Sequence, residues 1–149
     1  MKRGFTLLEM ILVLAVIAVV SGILLGAFAS FREASQLTET HSSIIGILKD
    51  ARSRTLASKG NSNHGVHFEE IKTVLFKGST YSSSDPSNEI YLLPAGIKIS
   101  SINLTGGAAD TVFTRLLGTT TASGKITITS KRDSGQSKTI DILSTGVIE

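Results

Sequence analysis

Glu9 has the most unusual chemical setting in this sequence. Its carboxylate stands at the edge of residues 10–31, a run of 22 residues without a charged side chain. A charge at the edge of an apolar run costs on the order of several kcal/mol unless it is paired. The position therefore predicts that the Glu9 carboxylate is buried and paired with a cation. The alternative is that the Glu9 side chain extends to the polar boundary of the apolar run.

Metal-binding side chains are found in the second half of the chain. His64 and His67 are three residues apart, which on a strand directs them to opposite faces. Together with Glu69 they are interpreted as exposed polar residues rather than as a metal site. A calcium site is left open as an alternative for three acidic residues, which lack EF-hand spacing: Asp85, Glu89 and Asp110. The sequence predicts no metal and no cofactor.

Candidate catalytic side chains lack the partners that catalysis requires. Ser82, Ser83 and Ser84 have no accompanying base and no nucleophile-elbow glycines, which is typical of a solvated turn. His41 lies among apolar residues and is predicted to be buried and hydrogen-bonded. The chain has no Cys, so thiol catalysis and disulfides are excluded. We expect that the protein is not an enzyme.

The charge balance disfavours nucleic acid as a partner. The net charge is +3, but without residues 1–4 thirteen Lys and Arg face twelve Asp and Glu, which leaves +1. Four cations surround one predicted hairpin: Lys125, Lys131, Arg132 and Lys138. They could contact phosphates, and the favoured alternative is a charged hairpin end that opposes aggregation.

The elements that position these residues differ between the two halves of the chain. Residues 10–31 are long enough to cross a bilayer as a helix, and no proline interrupts residues 5–58, which predicts one continuous helix. Gly60 and Asn61 are typical of its end. In the polar part, seven residues recur at three- and four-residue steps along one stripe: Leu37, His41, Ile44, Ile45, Leu48, Ala51 and Thr55.

The remaining residues show the pattern of short strands. Predicted strands are Gly65–Phe68, Thr73–Phe76, Ile90–Leu93, Ile97–Ile102, a hairpin of residues 126–129 and 139–142, and a last strand at Val147–Ile148. The fold class is therefore α+β, a long N-terminal helix packed on small antiparallel β-sheets. The predicted divisions are a leader at 1–4, a membrane and assembly helix at 5–30, an amphipathic helix at 31–59 and a β-rich domain at 60–149.

Residues 1–9 resemble the prepilin signature of type IV pilins and of type II secretion pseudopilins. A short basic leader ends in Gly4, and Phe5 and Glu9 stand at the matching positions. The resemblance implies that a prepilin peptidase cuts after Gly4 and methylates Phe5. It implies that Glu9 pairs with the terminal amine of a neighbouring subunit.

The same resemblance implies where the protein resides and with what it interacts. Its partners would be other pilin or pseudopilin subunits in a helical filament, an inner-membrane assembly platform and the lipid bilayer. The protein would cross the inner membrane once, with a cytoplasmic N-terminus held by Lys2 and Arg3. It would then join a periplasmic pseudopilus or an extracellular pilus.

Two features of the apolar run leave alternatives open. Gly22 and Gly26 form a GxxxG pattern, which favours close helix packing or local unwinding in a filament, although glycine is common in membrane helices. Many major pilins have proline where Gly26 stands. Residues 27–29 resemble a signal-peptidase site, but the apolar run is longer than that of a secretory signal and Glu9 stands at its start.

The β-rich region resembles the GspH/FimT-like domain of minor pseudopilins and minor pilins. The resemblance rests on Val112-Phe113, Gly118, residues 124–129, residues 140–142 and residues 145–148. It implies two β-sheets beside the helix and a minor subunit. Some FimT-like pilins bind DNA through a basic tail, whereas the tail after Gly146 has no arginine. The alternatives are a major type IV pilin for adhesion, motility or DNA uptake, and a monomeric membrane-anchored binding module.

Overall fold

The computed structural model describes residues 5–149. The chain divides into two compact units, Met1–Ala34 and Ser35–Glu149. A single helix, α1, runs from Leu7 to Leu56 and contributes residues to both units. The predicted leader at residues 1–4 lies outside the described part of the chain.

The second half of α1 is amphipathic, as its periodicity predicts. Leu37, Ile44, Leu48 and Ala51 are buried along one stripe, because steps of three and four residues return to the same side of a helix. Beyond Leu56 the chain continues into a 3-10 turn over Lys59–Asn61. Residues 58, 60 and 61 there have positive φ angles, which end the helix where the glycine and asparagine predict an end.

Within residues 5–149, seven strands follow the helix. They are β1 His64–Glu69, β2 Lys72–Lys77, β3 Glu89–Leu92, β4 Ile97–Leu104, β5 Asp110–Phe113, β6 Gly124–Ser130 and β7 Ser137–Ile142. Sheet A has the order β3-β2-β1-β5 and sheet B the order β4-β6-β7. All neighbouring strands are antiparallel. The predicted α+β fold is confirmed.

The β6–β7 hairpin shows how alternation places side chains in the core. Ile126 lies opposite Ile140 in the strand register, and Ile128 and Ile142 continue the same buried face. These residues join the helix stripe and residues of sheet A, among them Val66 and Phe68, in one hydrophobic core. The polar residues between them face away from that core, as expected for strands with one buried face.

Two sheet edges are partly closed by short bridges. Phe113 at the end of β5 pairs with Thr120, and Ile142 at the end of β7 pairs with Ile148. The backbone groups of Asp141 and Glu149 also exchange two hydrogen bonds, of 2.9 and 3.0 Å. The predicted last strand at Val147–Ile148 is therefore reduced to a bridge at Ile148, which follows the turn at residues 144–146.

The edge strand β3 is attached to α1 by an ionic bridge. The guanidinium of Arg54 donates to both carboxylate oxygens of Glu89, one of these bonds measuring 3.0 Å, and to the Asp50 carboxylate. Tyr91 also donates to Glu89, at 2.9 Å. The hydrogen bond from Arg54 to Glu89, followed by that to Asp50, raises the pKa of Arg54 above its ordinary value. Donation from Arg54 lowers the pKa of Glu89.

We expect Glu89→Gln to destabilise the protein by roughly 1 kcal/mol near neutral pH, a small value because the Glu89 side chain is 42% exposed. The pKa of Glu89 is lower in the folded protein than in the unfolded chain. The stabilisation by Glu89 is therefore complete above the ordinary carboxyl pKa, and it is lost as the pH falls through the lower pKa of the folded protein. Urea unfolding at pH 7 and at pH 3 measures this. The Glu70→Gln variant is the control, and an equal loss at both pH values would contradict the prediction.

Gly146→Ala is expected to cost about 3 kcal/mol or more, because a side chain there combines a strained backbone with a collision. Gly146 has φ of +79°, and an added Cβ would lie 1.8 Å from the carbonyl oxygen of Gly118. That oxygen already accepts a bond from Arg52 at 3.1 Å. Gly106→Ala is the matched control, since Gly106 has φ of +78° but open space around it. Equal unfolding free energies for the two variants would exclude the collision.

Candidate membrane and assembly segment

The start of α1 is fixed by a threonine cap. The backbone N–H of Glu9 donates to the Thr6 hydroxyl at 3.3 Å, and the N–H of Met10 donates to the Thr6 carbonyl at 3.2 Å. Thr6 is thus the N-cap, and Glu9 is the third helical residue, the spacing of a capping box. A carboxylate in the first turn also interacts favourably with the helix dipole.

The Glu9 side chain is exposed, and its carboxylate has no hydrogen-bond or ion-pair partner among the described residues. The helix cap uses the backbone N–H of Glu9 and leaves both carboxylate oxygens free. Phe5, the residue that a cut after Gly4 would make N-terminal, precedes the cap and is also exposed.

The first half of α1 is apolar on every side. The window Leu7–Leu24 has a mean hydropathy of 2.8, and none of it is buried within the protein. Leu8, Ile23 and Phe28 each remain about 70% exposed. Each such side chain gains roughly 1.5–3 kcal/mol on full burial, so the segment carries an uncovered driving force on the order of tens of kcal/mol. Lipid or other protein chains must cover it.

Gly22 and Gly26 lie in the helix and leave its surface open. A Cβ added at either glycine would meet no atom within 4 Å. The carbonyl of Gly26 accepts a hydrogen bond from the Ser30 hydroxyl at 3.3 Å. Helix packing against these glycines by another chain stays a prediction, and so does local unwinding in a filament.

The histidines of β1 differ from what the sequence predicts in one respect. They lie on opposite faces of the strand, as expected, but His64 is buried, with 4% exposure, rather than exposed. Packing of α1 over that face of sheet A covers it. His67 stacks on Tyr81 with ring centroids 3.9 Å apart, and Glu69 lies 3.8 Å from it. His41 is half-buried and lies 3.2 Å from the carbonyl of Thr139.

The acidic residues weighed for calcium have other contacts. Asp85 accepts two bonds from Ser87, at 2.7 and 2.8 Å, which closes its own loop. Glu89 is held by Arg54, and Asp110 lies 3.9 Å from His67. In the part of the chain that the structure describes, no group of three His, Cys, Asp or Glu is arranged to hold a metal.

Of the hairpin cations, one is paired across strands. Lys125 contacts Asp141 at 2.7 Å, and the two residues are directly opposite each other in β6 and β7. Lys131 and Arg132 are exposed in the connecting loop. Lys131 and Arg132 therefore lie at the loop end of the hairpin, whereas Lys125 lies near its opposite end.

Sequence reasoning missed two positions. Thr6 caps the helix, and the signal was present, because a threonine three residues before a glutamate is the pattern of a capping box. Arg54 joins α1 to β3 across 35 residues of sequence, and no local pattern could have identified that pairing.

Comparison with known proteins gives two findings. Residues 1–25 match the family described as the prokaryotic N-terminal methylation motif. The fold is similar to the crystal structure of the type IV minor pilin FimU of Pseudomonas aeruginosa strain PAO1, with a TM-score of 0.57 and 13% sequence identity. The match covers 76% of this chain and 90% of that chain. No curated protein matches the sequence.

Proposed function

We propose that this chain, which joins a prokaryotic N-terminal methylation motif to a pilin-like fold, is a structural subunit of a type IV pilus-like or type II secretion pseudopilus filament. The observation that carries the proposal is the match to this motif over residues 1–25, which overlaps the start of an apolar helix that the described residues leave uncovered. We assign it a minor role and no enzymatic activity. The type of β-rich domain, as read from the sequence, supports the minor role by analogy.

Processing would begin in the inner membrane. Lys2 and Arg3 retain the N-terminus in the cytoplasm by the positive-inside rule, and the apolar helix crosses the bilayer once. A prepilin peptidase then cuts after Gly4, where the missing side chain permits close approach to the backbone. Phe5 becomes the methylated N-terminus, and the β-rich domain lies outside the cytoplasm.

Assembly would transfer the apolar helix from lipid to the interior of a filament. The Glu9 carboxylate enters that apolar interior without a counter-ion of its own, which is unfavourable unless a cation meets it. The terminal amine at Phe5 of a neighbouring subunit supplies that cation. Because breaking such a buried pair is strongly destabilising, the pair selects the axial offset at which subunits dock.

The two glycines give the same helix a second contact. Open space around Gly22 and Gly26 allows another helix to approach the backbone closely. Close approach compensates for the weak driving force between helices in an apolar medium.

Mass spectrometry of filaments sheared from the cell surface, with the cell envelope as a second sample, tests the proposal. We expect a first peptide that starts at a methylated Phe5, present in trace amounts or confined to the envelope. A dominant share of sheared filaments would instead indicate a major pilin. A first peptide that starts at Ser30 would show a secretory signal and overturn the proposal.

We expect Glu9→Ala to be inserted and cleaved normally but to enter filaments at least about tenfold less, the equivalent of about 1.4 kcal/mol per subunit. The physical reason is loss of the charge that selects the docking offset. Immunoblots of membrane and filament fractions measure both steps. Glu39→Ala, on the exposed surface of the same helix, is the control. Normal incorporation of Glu9→Ala into filaments would contradict the docking role of Glu9.

A further inference from the structure

A basic cleft lies beside the end of α1 and the β3 side of sheet A. It has a volume of about 350 Å³ and is lined by residues that include Arg54, Lys59, His64, Leu75, Lys77 and Glu89. All of them belong to the unit Ser35–Glu149. We call it the basic cleft, because three of these side chains are cations that α1, the 3-10 turn and β2 supply separately.

His64 lines this cleft and has one buried polar atom without a hydrogen-bond partner among the described residues. Its Nδ1 is fully buried and has no hydrogen bond within the described residues. The residue is held in place by its backbone N–H, which donates to the Thr55 hydroxyl at 2.9 Å. A buried polar atom left unpaired costs about 1–3 kcal/mol. Such atoms in native proteins are usually satisfied by an ordered water or a bound ion.

Two lysines of the cleft also lack a direct counter-ion. Lys77 lies opposite His64 in the β1–β2 register, and Lys59 lies in the 3-10 turn. Within residues 5–149 neither lysine forms an ion pair. Placing two unpaired ammonium groups beside a buried ring favours an anion over a cation in the space between them.

The carboxylates nearest to the cleft already have their own donors. Asp50 and Glu89 are held by Arg54. Asp85 accepts two hydrogen bonds from Ser87. Asp85 still interacts with the charge of Lys77, and Glu89 with that of Lys59. Neither carboxylate forms an ion pair with these lysines among the described residues, so both ammonium groups can bind an anion as point charges.

The protonation state of His64 fits the same arrangement. Burial, and then the charges of Arg54, Lys77 and Lys59, lower the pKa of His64 below 6.5, and Asp50 opposes this weakly. The ring is therefore neutral near pH 7, with one N–H to donate. An anion in the basic cleft would offset the repulsion by the cations, so it would raise the pKa of His64.

We propose that the basic cleft binds an oxyanion of the phosphate type, with Lys59 and Lys77 as counter-charges and His64 as a hydrogen-bond donor. The volume exceeds the roughly 30 Å³ that one water occupies, so it holds the group together with some of its hydration. Water in the cleft would satisfy only the hydrogen bonding of His64, whereas an oxyanion would also interact with the charges of the two exposed lysines. The inference is independent of filament assembly.

Nuclear magnetic resonance of the histidine ring signals of the full chain in detergent micelles tests the site. Inorganic phosphate is titrated against sodium chloride of equal ionic strength. We expect saturable shifts at His64 and an increase in its pKa, because a bound anion favours the protonated ring. His41 and His67 are internal controls, and His64→Gln assigns the signal. The same titration with dimethyl phosphate shows whether an esterified phosphate of a larger molecule also binds.

The combined Lys59→Gln and Lys77→Gln substitutions are expected to weaken phosphate binding at least about tenfold. The matched control removes two charges at Lys131 and Lys138, in and beside the β6–β7 loop. If the control variant loses affinity equally, or if chloride reproduces the shift at His64, binding is only general screening and the proposal is wrong. An unsaturable His64 shift would contradict it as well.

Discussion

The rest of the structure depends on one helix whose two halves have different apolar surfaces. From Leu7 to Leu24 the apolar side chains face every direction, and none is buried by the chain. In the second half they follow one stripe, which the sheets cover. The first surface needs an environment that the chain does not supply, whereas the second is satisfied within the unit Ser35–Glu149. The hydrophobic effect therefore assigns the two halves to different partners.

Within the unit Ser35–Glu149, polar contacts determine how the edge strand β3 is attached to α1. The Arg54 guanidinium connects α1 to the edge strand through Glu89 and retains Asp50 on the same side. This leaves Lys59 and Lys77 without carboxylate partners among the described residues. The bridge that attaches β3 thus also determines the electrostatic character of the neighbouring cleft. A structural contact and a candidate binding site share the same charges.

The sequence predicted those features that local patterns determine. Alternating isoleucines identified β6 and β7, and three- and four-residue steps identified the helix stripe. β5 was not predicted, because it has four residues and Thr111, a polar residue, is fully buried there with its hydroxyl bonded to Thr120. The burial of His64 and the grouping of residues 54, 59, 64 and 77 depend on strand register and on helix packing, which are properties of the tertiary structure.

The way in which the sheet edges are covered has a consequence for the lateral association of filaments. In the proposed filament, this domain and those of the other subunits would be held side by side at roughly millimolar effective concentration. An exposed strand edge under that condition recruits like edges and promotes lateral growth. Short bridges cover part of β5 and β7. β3 has only four residues and exposes Ile90 and Leu92, but Pro94 soon follows and has no N–H to donate. Growth along the filament axis can then proceed without sideways fusion of sheets.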